Sequence, residues 1–300
     1  MRELRQDPLT GAWMALCDEA VHFAGVPTTI DEGTSSCPFC DGRSAQHRSS
    51  LAQRGAARAW PHDTPVLRVE EGSDAIGDGR RPGLGSHEVV VPSPRHVLTH
   101  HLPIDMAVDA LVVARDHMAD LRRDHRLGRQ AWSRRARPGR HGRDTVAAWP
   151  ELGTPRLERR AIEHAVASAH RDGRDVGAVG AVHVWCSRAP QRPFEVRLAH
   201  LGDGGEDAVG DLARALHALE LALEQEIGPH GHDAWLRPGH GHGDALLVGC
   251  LEVVPVTAWS TPALGGMLPT HGATPEVVAP RLRDRFHTLC HDAASVEVER

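Results

Sequence analysis

The sequence predicts an α+β fold in which two related halves share one sheet. Three segments carry apolar residues at helical spacing, and four short segments are rich in β-branched residues. A strand that contains a glutamate is followed by a long helix and a further strand, and this order occurs twice. We therefore expect duplicated halves over residues 1–190 and 191–300.

The helices are predicted from apolar stripes spaced three and four residues apart. The first segment begins near Asp105, and the second runs from Val209 to Ile227. The third opens with Thr274, Pro275 and Glu276, which combine a capping side chain, a proline at the first helical position and an early acid.

The strands are predicted over residues 88–91, 178–186, 194–198 and 246–254. Residues 128–154 are rich in Arg, Gly and Pro, so we expect a loop or a poorly ordered insertion there.

The composition argues against nucleic acid and membranes as partners. The chain has 300 residues, 40% of them hydrophobic, and a formal net charge of −6, so no global attraction to polyanions is expected. Arginines are dense over residues 122–143, but the segment has one aromatic residue, Trp132, and so lacks a stacking ladder. No apolar run reaches the roughly 20 residues that span a bilayer, and the first residues are polar. We expect a soluble cytoplasmic protein.

The cysteines suggest reduced thiols and one metal pair. Of the six cysteines, only Cys37 and Cys40 are close in sequence. Two thiolates at this spacing can bind Zn²⁺, but a structural site needs four ligands. The spacing alone leaves zinc and a metal-free pair equally open.

Several short motifs, in a fixed order, carry a resemblance to a known family. They are residues 5–13 (RQDPLTGAW), 37–42 (CPFCDG), 85–96 (GSHEVVVPSPRH), 193–196 (PFEV), 251–255 (LEVVP) and 274–276 (TPE). Together they resemble the galactose-1-phosphate uridylyltransferase family of the histidine-triad superfamily, over about residues 5–285.

The resemblance implies a fold, a ligand class and a metal. It implies two histidine-triad-like halves that share an antiparallel sheet flanked by helices, a nucleotide sugar or sugar 1-phosphate as ligand, and a homodimer. In the family, zinc is held by the C-x-x-C pair, the histidine that ends S-P-x-H and the first histidine of H-x-H. This implies Cys37, Cys40 and His96 as ligands of a structural Zn²⁺.

The family's catalytic strand reads G-A-S-x-x-H-x-H-x-Q, and its second histidine attacks the α-phosphorus of the nucleotide sugar. Placed on residues 177–187 without a gap, this motif has valines at both histidine positions and Cys186 at the glutamine position. Shifted by one residue, it makes His183 the fourth zinc ligand and puts Trp185 and Ser187 at the nucleophile and glutamine positions. We prefer the shifted register because it completes the metal site, although His183 could also be a packed histidine. Neither register supplies a nucleophile.

Other family positions also differ here. His62 occupies the first position of the family's uridine-contacting N-x-x-P segment. Residues 230–233 occupy the position of its P-Y-N segment. Glu252 ends the segment that matches H-x-H-x-E, whose two histidines are replaced here. We expect His62, Trp185, Ser187 and Glu252 to contact the substrate and assign no catalytic residue. The protein is then either an enzyme of altered chemistry or a non-catalytic protein that keeps the fold and zinc.

Two further groups offer alternatives. Four histidines lie in the segment 228–243, namely His230, His232, His240 and His242, and we favour a flexible polar loop over a metal or base site. Cys186 and Cys250 lie on equivalent strands, where buried core residues are favoured over nucleophiles.

Overall fold

The computed structural model describes residues 2–8, 12–17, 37, 39–40, 49–153, 155–205, 207–241, 243–256, 263–264, 268–269 and 272–298. The strands are β1 (Arg2–Gln6), β2 (Trp13–Cys17), β3 (Ala52–Arg54), β4 (Ala57–Pro61), β5 (Arg80–Pro82), β6 (Ser86–Val91), β7 (Arg129–Ala136), β8 (Asp144–Trp149), β9 (Asp175–Val179), β10 (Val182–Cys186), β11 (Val196–His200), β12 (Gly231–Arg237), β13 (Cys250–Val256), β14 (Ala263–Leu264) and β15 (Leu268–Pro269). The helices are α1 (Ile104–Leu121), α2 (Arg159–Arg171), α3 (Ala208–Ile227), α4 (Ala245–Val248) and α5 (Pro275–Val298), and a 3₁₀ turn covers Thr99–His101.

One ten-stranded sheet organises the chain, in the order β3-β4-β6-β8-β7-β12-β13-β11-β10-β9. Its neighbouring strands are antiparallel throughout. Five strands precede α2 and five follow it, and the two sets meet where β7 pairs with β12. The predicted α+β class with an antiparallel sheet flanked by helices is confirmed.

The strand pairing bears on where the two halves divide. A boundary at residue 190 would separate β10 from β11, although these strands pair along their whole length. The sheet order groups β9 and β10 with the second half and favours a division before β9.

The predicted helices α1 and α3 lie on one face of the sheet and build the main core. Leu111 and Met118 of α1 and Leu216 and Leu223 of α3 are essentially buried. The third predicted helix, α5, packs on α3 and β9 and buries Phe286 completely. Burial of each such side chain contributes about 1.5–3 kcal/mol.

The opposite face of the second half is covered by α2, which the apolar pattern did not reveal. Ile162 and Ala169 of this helix pack against Trp185, Ala199 and Cys250. This small second core closes that face of the second half.

The expected loop over residues 128–154 is wrong, because it contains β7 and β8. On β7 Trp132, Arg134 and Ala136 are buried on one face, and Arg129 is buried on the other. Arg134 Nε lies 2.7 Å from Asp144 Oδ1, and its Nη1 lies 3.1 Å from both carboxylate oxygens of Glu220. Burial disfavours the charged guanidinium, but these carboxylates outweigh it and raise the pKa of Arg134. Two buried arginines, one on each face, hid the strand from a hydrophobic pattern.

Two further segment predictions need correction. Residues 245–248 form α4, and the strand starts only at Cys250. The histidine-rich segment 228–243 contains β12, so it is not a flexible loop, and His232 on this strand is fully buried. His242 lies outside the described residues.

Among the described helices, none combines the length and the apolar character that a bilayer crossing requires.

Candidate functional site

A buried cluster of sulfur and imidazole groups lies on the face of the first half opposite α1. Ligand atoms of Cys37, Cys40 and His141 all lie within 4.8 Å of one another, and the three residues are buried. Cys40 Sγ is 3.3 Å from His96 Nδ1. The pair of cysteines packs with an apolar group from the same face: Phe39, Trp60, Val89 and Val91.

Two neighbouring strands bring the histidines to the cysteines. His96 follows β6, and His141 precedes β8, which pairs with β6. The Gly142 N–H donates to the carbonyl of Val97 at 2.8 Å, which ties the two segments together.

Both rings are oriented by backbone carbonyls. His96 Nε2 lies 3.1 Å from the Gly139 oxygen, and His141 Nδ1 lies 2.9 Å from the Gly142 oxygen. Because a carbonyl only accepts, these nitrogens carry the protons, and the other nitrogen of each ring keeps a lone pair. Such backbone contacts are typical of metal-binding histidines.

Three of these residues, Cys37, Cys40 and His141, have ligand atoms close enough to share a metal ion, and His96 lies against Cys40 just outside this set. Two thiolates and two imidazoles are a zinc donor set. His141 Nε2 is buried and has no hydrogen-bond partner among the described residues, and an unpaired buried acceptor is costly unless a ligand satisfies it. Burial also lowers the pKa of His141, which favours the neutral ring that binds metals.

The structure does not bring His183 to this cluster. It lies on β10, five strands from β8, which is about 24 Å at the usual strand spacing. His183 is half-buried, and its charge helps to lower the pKa of His200. His141 lies beside the cysteines where His183 was expected, because β8, unlike β10, pairs with β6, the strand that leads to His96.

This placement moves the H-x-H-x-Q resemblance to residues 141–145. Counted from His141, the nucleophile position holds Arg143 and the glutamine position holds Thr145. The intervening Gly142 is required by space, since a Cβ there would lie 2.6 Å from the Thr99 nitrogen. The alignment on residues 177–187 is therefore replaced. A glycine-flanked histidine between the first long helix and the second half was the signal that sequence reasoning missed.

Arg143 lies beside two stacked imidazoles. It is exposed, and its guanidinium carbon is 5.5 Å from the centre of the Phe39 ring. The rings of His62 and His87 stack with centroids 4.2 Å apart. Burial lowers the pKa of both, to about 4 for His87, and the Arg143 charge lowers that of His62 further. Arg143 thus acts electrostatically on the predicted contact residue His62, which stacks on His87.

A cleft of about 560 Å³ opens next to the cysteine cluster. Phe39 and Trp60 line it together with Arg58 and Ser93, and the two aromatic rings stack at 6.4 Å. The Trp60 indole N–H is buried and finds no acceptor in the described part of the chain. This volume is in the range of small-molecule sites.

The other predicted contact residues lie in the second half and are engaged there. Trp185 is packed under α2, and Ser187 is buried. Glu252 is 2% exposed and accepts from Arg197 at 2.9 Å and from Arg237. The structure does not bring these residues to His62.

Cys186 and Cys250 are core residues, as favoured from the sequence. Burial raises the pKa of each thiol to about 12, so neither forms a thiolate near neutral pH.

Comparison with known proteins finds similar folds among solved structures but no match to a family model or a curated protein. A solved uridylyltransferase structure is similar with a TM-score of 0.71 and 19% identity over 95% of this chain and 99% of the other. An ADP-glucose phosphorylase from Arabidopsis thaliana with bound ADP-glucose gives a TM-score of 0.66 and 16% identity over 95% and 99%. A galt-like protein from the same organism gives 0.66 and 15% over 94% and 98%. The sequence resemblance is confirmed at the level of the fold.

Proposed function

We propose that the protein binds a nucleotide sugar or a sugar 1-phosphate in the first-half cleft and forms no nucleotidyl-histidine intermediate. One observation carries this proposal: Arg143 stands two residues after the metal-cluster histidine His141, where the resembling family has its nucleophile.

An arginine changes the chemistry of that position. Its guanidinium stays protonated in proteins and cannot attack phosphorus, but it binds phosphate oxygens through paired N–H donors. The stacked Phe39 and Trp60 offer an apolar wall to a base, and the unpartnered Trp60 N–H offers a donor. These features suit a ligand with an aromatic base and phosphates. The ADP-glucose bound to the Arabidopsis relative supports the same ligand class.

Cys37, Cys40, His96 and His141 would hold a structural Zn²⁺ in this proposal. The ion would fix the cysteine segment to the end of β6 and the start of β8, and so shape one wall of the cleft. The resemblance further supports a cytoplasmic homodimer that requires neither nucleic acid nor a membrane.

The proposal is tested with UDP-glucose and ADP-glucose labelled at the α-phosphate. We expect wild-type protein to bind one of them in calorimetry and to carry no acid-labile label after the reaction. Arg143→Ala should weaken binding at least tenfold, about 1.4 kcal/mol. Arg123→Ala, at an arginine 84% exposed beyond α1, is the matched control and should bind as wild type does.

Two outcomes would contradict the proposal: a labelled histidine in the wild-type protein, or no binding of either sugar nucleotide. Breakdown of the bound ligand without a labelled protein would identify direct transfer or hydrolysis. Recovery of intact ligand would identify the non-catalytic alternative, a binding protein that keeps the fold and the zinc. Arg143→His provides the converse experiment, since it restores an imidazole at the nucleophile position.

A further inference from the structure

A second cluster of histidines and carboxylates lies on the helix-covered face of the sheet, away from the cysteines. It forms where the 3₁₀ turn, the C-terminal end of α3 and the start of β12 meet. Two overlapping sets have ligand atoms within 4.8 Å of one another: His100, His101 and Glu224, and His100, Glu220 and His232.

Contacts to Glu220 exclude it as a direct metal ligand. Both of its oxygens lie 3.1 Å from Arg134 Nη1, and Oε1 also accepts from His232 Nε2 at 2.9 Å. A cation bound to Glu220 would face the buried charge of Arg134, and like charges in a buried site repel strongly.

Glu224 has a different environment. Its Oε2 lies 2.6 Å from His101 Nε2 and 3.4 Å from His100 Nε2. The charged groups that act on it are His101, His100 and His230. Ligand atoms at zinc distances of about 2.0–2.2 Å and tetrahedral angles are roughly 3.4 Å apart, so the His100 contact already matches a shared metal.

His100 is already oriented for metal binding. Its side chain is 3% exposed, and its buried Nδ1 has no hydrogen-bond partner within the described chain. That nitrogen faces Glu220 Oε2 at 3.7 Å, while Nε2 faces Glu224. Glu220 lies beyond hydrogen-bond distance here, but on the side from which a carboxylate usually supports a metal-bound histidine.

We propose that His100, His101 and Glu224 form a binding site for a divalent transition-metal ion such as Zn²⁺, with Glu220 as the positioning residue behind His100. Two imidazoles and one carboxylate leave a fourth position for water. The ion can enter from solvent, because His101 is 42% and Glu224 24% exposed. It would link the turn after β6 in the first half to α3 in the second.

Metal content after equilibrium dialysis against micromolar Zn²⁺ tests the proposal. The double variant His101→Ala/Glu224→Gln should hold one zinc ion fewer per chain than the wild-type protein. Both side chains reach solvent, so the fold should survive, and circular dichroism checks this. The double variant His170→Ala/Glu163→Gln makes the same chemical changes at exposed positions of α2 and should keep the wild-type content.

The difference in zinc content does not depend on whether the cysteine cluster is loaded. Equal zinc in the wild-type protein and His101→Ala/Glu224→Gln would overturn the proposal. Co²⁺ gives a second measurement, because a site without thiolates adds visible ligand-field absorption but no sulfur charge-transfer band. A Co²⁺ spectrum identical in wild type and variant would also overturn it.

Discussion

In each half a tightly packed glycine precedes a strand of the sheet, but its neighbours differ in chemistry. In the first half His141, Gly142 and Arg143 lead into β8, and in the second half Val248, Gly249 and Cys250 lead into β13. Each glycine meets close backbone: a Cβ would lie 2.6 Å from the Thr99 nitrogen in one half and 2.6 Å from the Arg237 oxygen in the other. The shared scaffold therefore keeps the glycine, while the residues around it are free to diverge.

On the face opposite the main core, the halves differ in which buried polar atoms have partners among the described residues. In the second half, α2 covers the equivalent face and Glu252 is held by two arginines. In the first half, His141 Nε2 and Trp60 Nε1 are buried without partners among the described residues, and a cleft lies beside them. Buried polar groups without partners require an explanation, and a ligand site in the first half provides it.

The largest expected effect comes from removing the cysteine pair. Cys37→Ser/Cys40→Ser should lose one bound zinc per chain and lower the free energy of unfolding by about 3 kcal/mol or more, because metal binding to a structural site stabilises the fold. Metal analysis and denaturant unfolding measure both.

Cys250→Ser in the second half is the matched control. It places a hydroxyl in an apolar core at a cost of about 1–3 kcal/mol but should keep the full zinc content. A loss of zinc in this variant would break the contrast between the halves.

A smaller loss of stability is expected when the ion pairs of Glu252 with Arg197 and Arg237 are broken. Glu252→Gln should cost about 2 kcal/mol, less than the 3–5 kcal/mol typical of a broken buried pair, because Arg197 and Arg237 remain partly exposed. Binding of the sugar nucleotide should not change.

Chemical denaturation measures the stability of Glu252→Gln, and calorimetry measures its binding of the sugar nucleotide. Glu163→Gln on the surface of α2 should change stability by less than about 0.5 kcal/mol. Weakened ligand binding in Glu252→Gln would show that the second half also contacts the ligand.

The smallest effect concerns acid sensitivity in the first half. Burial lowers the pKa of His87 from 6.5 to about 4, so between these values the unfolded state binds a proton that the folded state does not. Stability is therefore lost as the pH falls from 6.5 towards 4. His87→Gln should reduce the loss between pH 8 and pH 5 by about 1–2 kcal/mol.

Urea unfolding at both pH values measures this loss. His170→Gln, at a histidine 82% exposed, should lose as much stability as the wild-type protein. Identical acid sensitivity in His87→Gln and wild type would contradict the assignment of His87 as a half-buried neutral ring.

The regular apolar elements could be predicted from the sequence. The stripes of α1, α3 and α5 identify these helices because the core lies on one side of each. Strand β7 escaped because it buries an arginine on each face, Arg134 beside Trp132 and Arg129 on the opposite side. Their carboxylate partners, Asp144 and Glu151, make that burial tolerable. Charges neutralised by distant residues leave no hydrophobic pattern.

The candidate site was predictable only in part. Cys37, Cys40 and His96 were identified through motifs and do come together, but His141 lies about a hundred residues after the cysteines in a segment expected to be a loop. Which histidine completes the set depends on the pairing of β8 with β6, and strand pairing is not readable from local spacing. The same alignment led to the prediction of Trp185 and Ser187 as substrate contacts, and both lie in the second half, away from the cysteines.

The pairing of β7 with β12 has a consequence for how the duplicated chain folds. A separated half would expose the backbone donors and acceptors of a central strand, and such open edges promote aggregation. Arg134 would also lose Glu220, which comes from the other half. We therefore expect the chain to unfold as one cooperative unit, and a segment cut between β7 and β12 to aggregate when expressed alone.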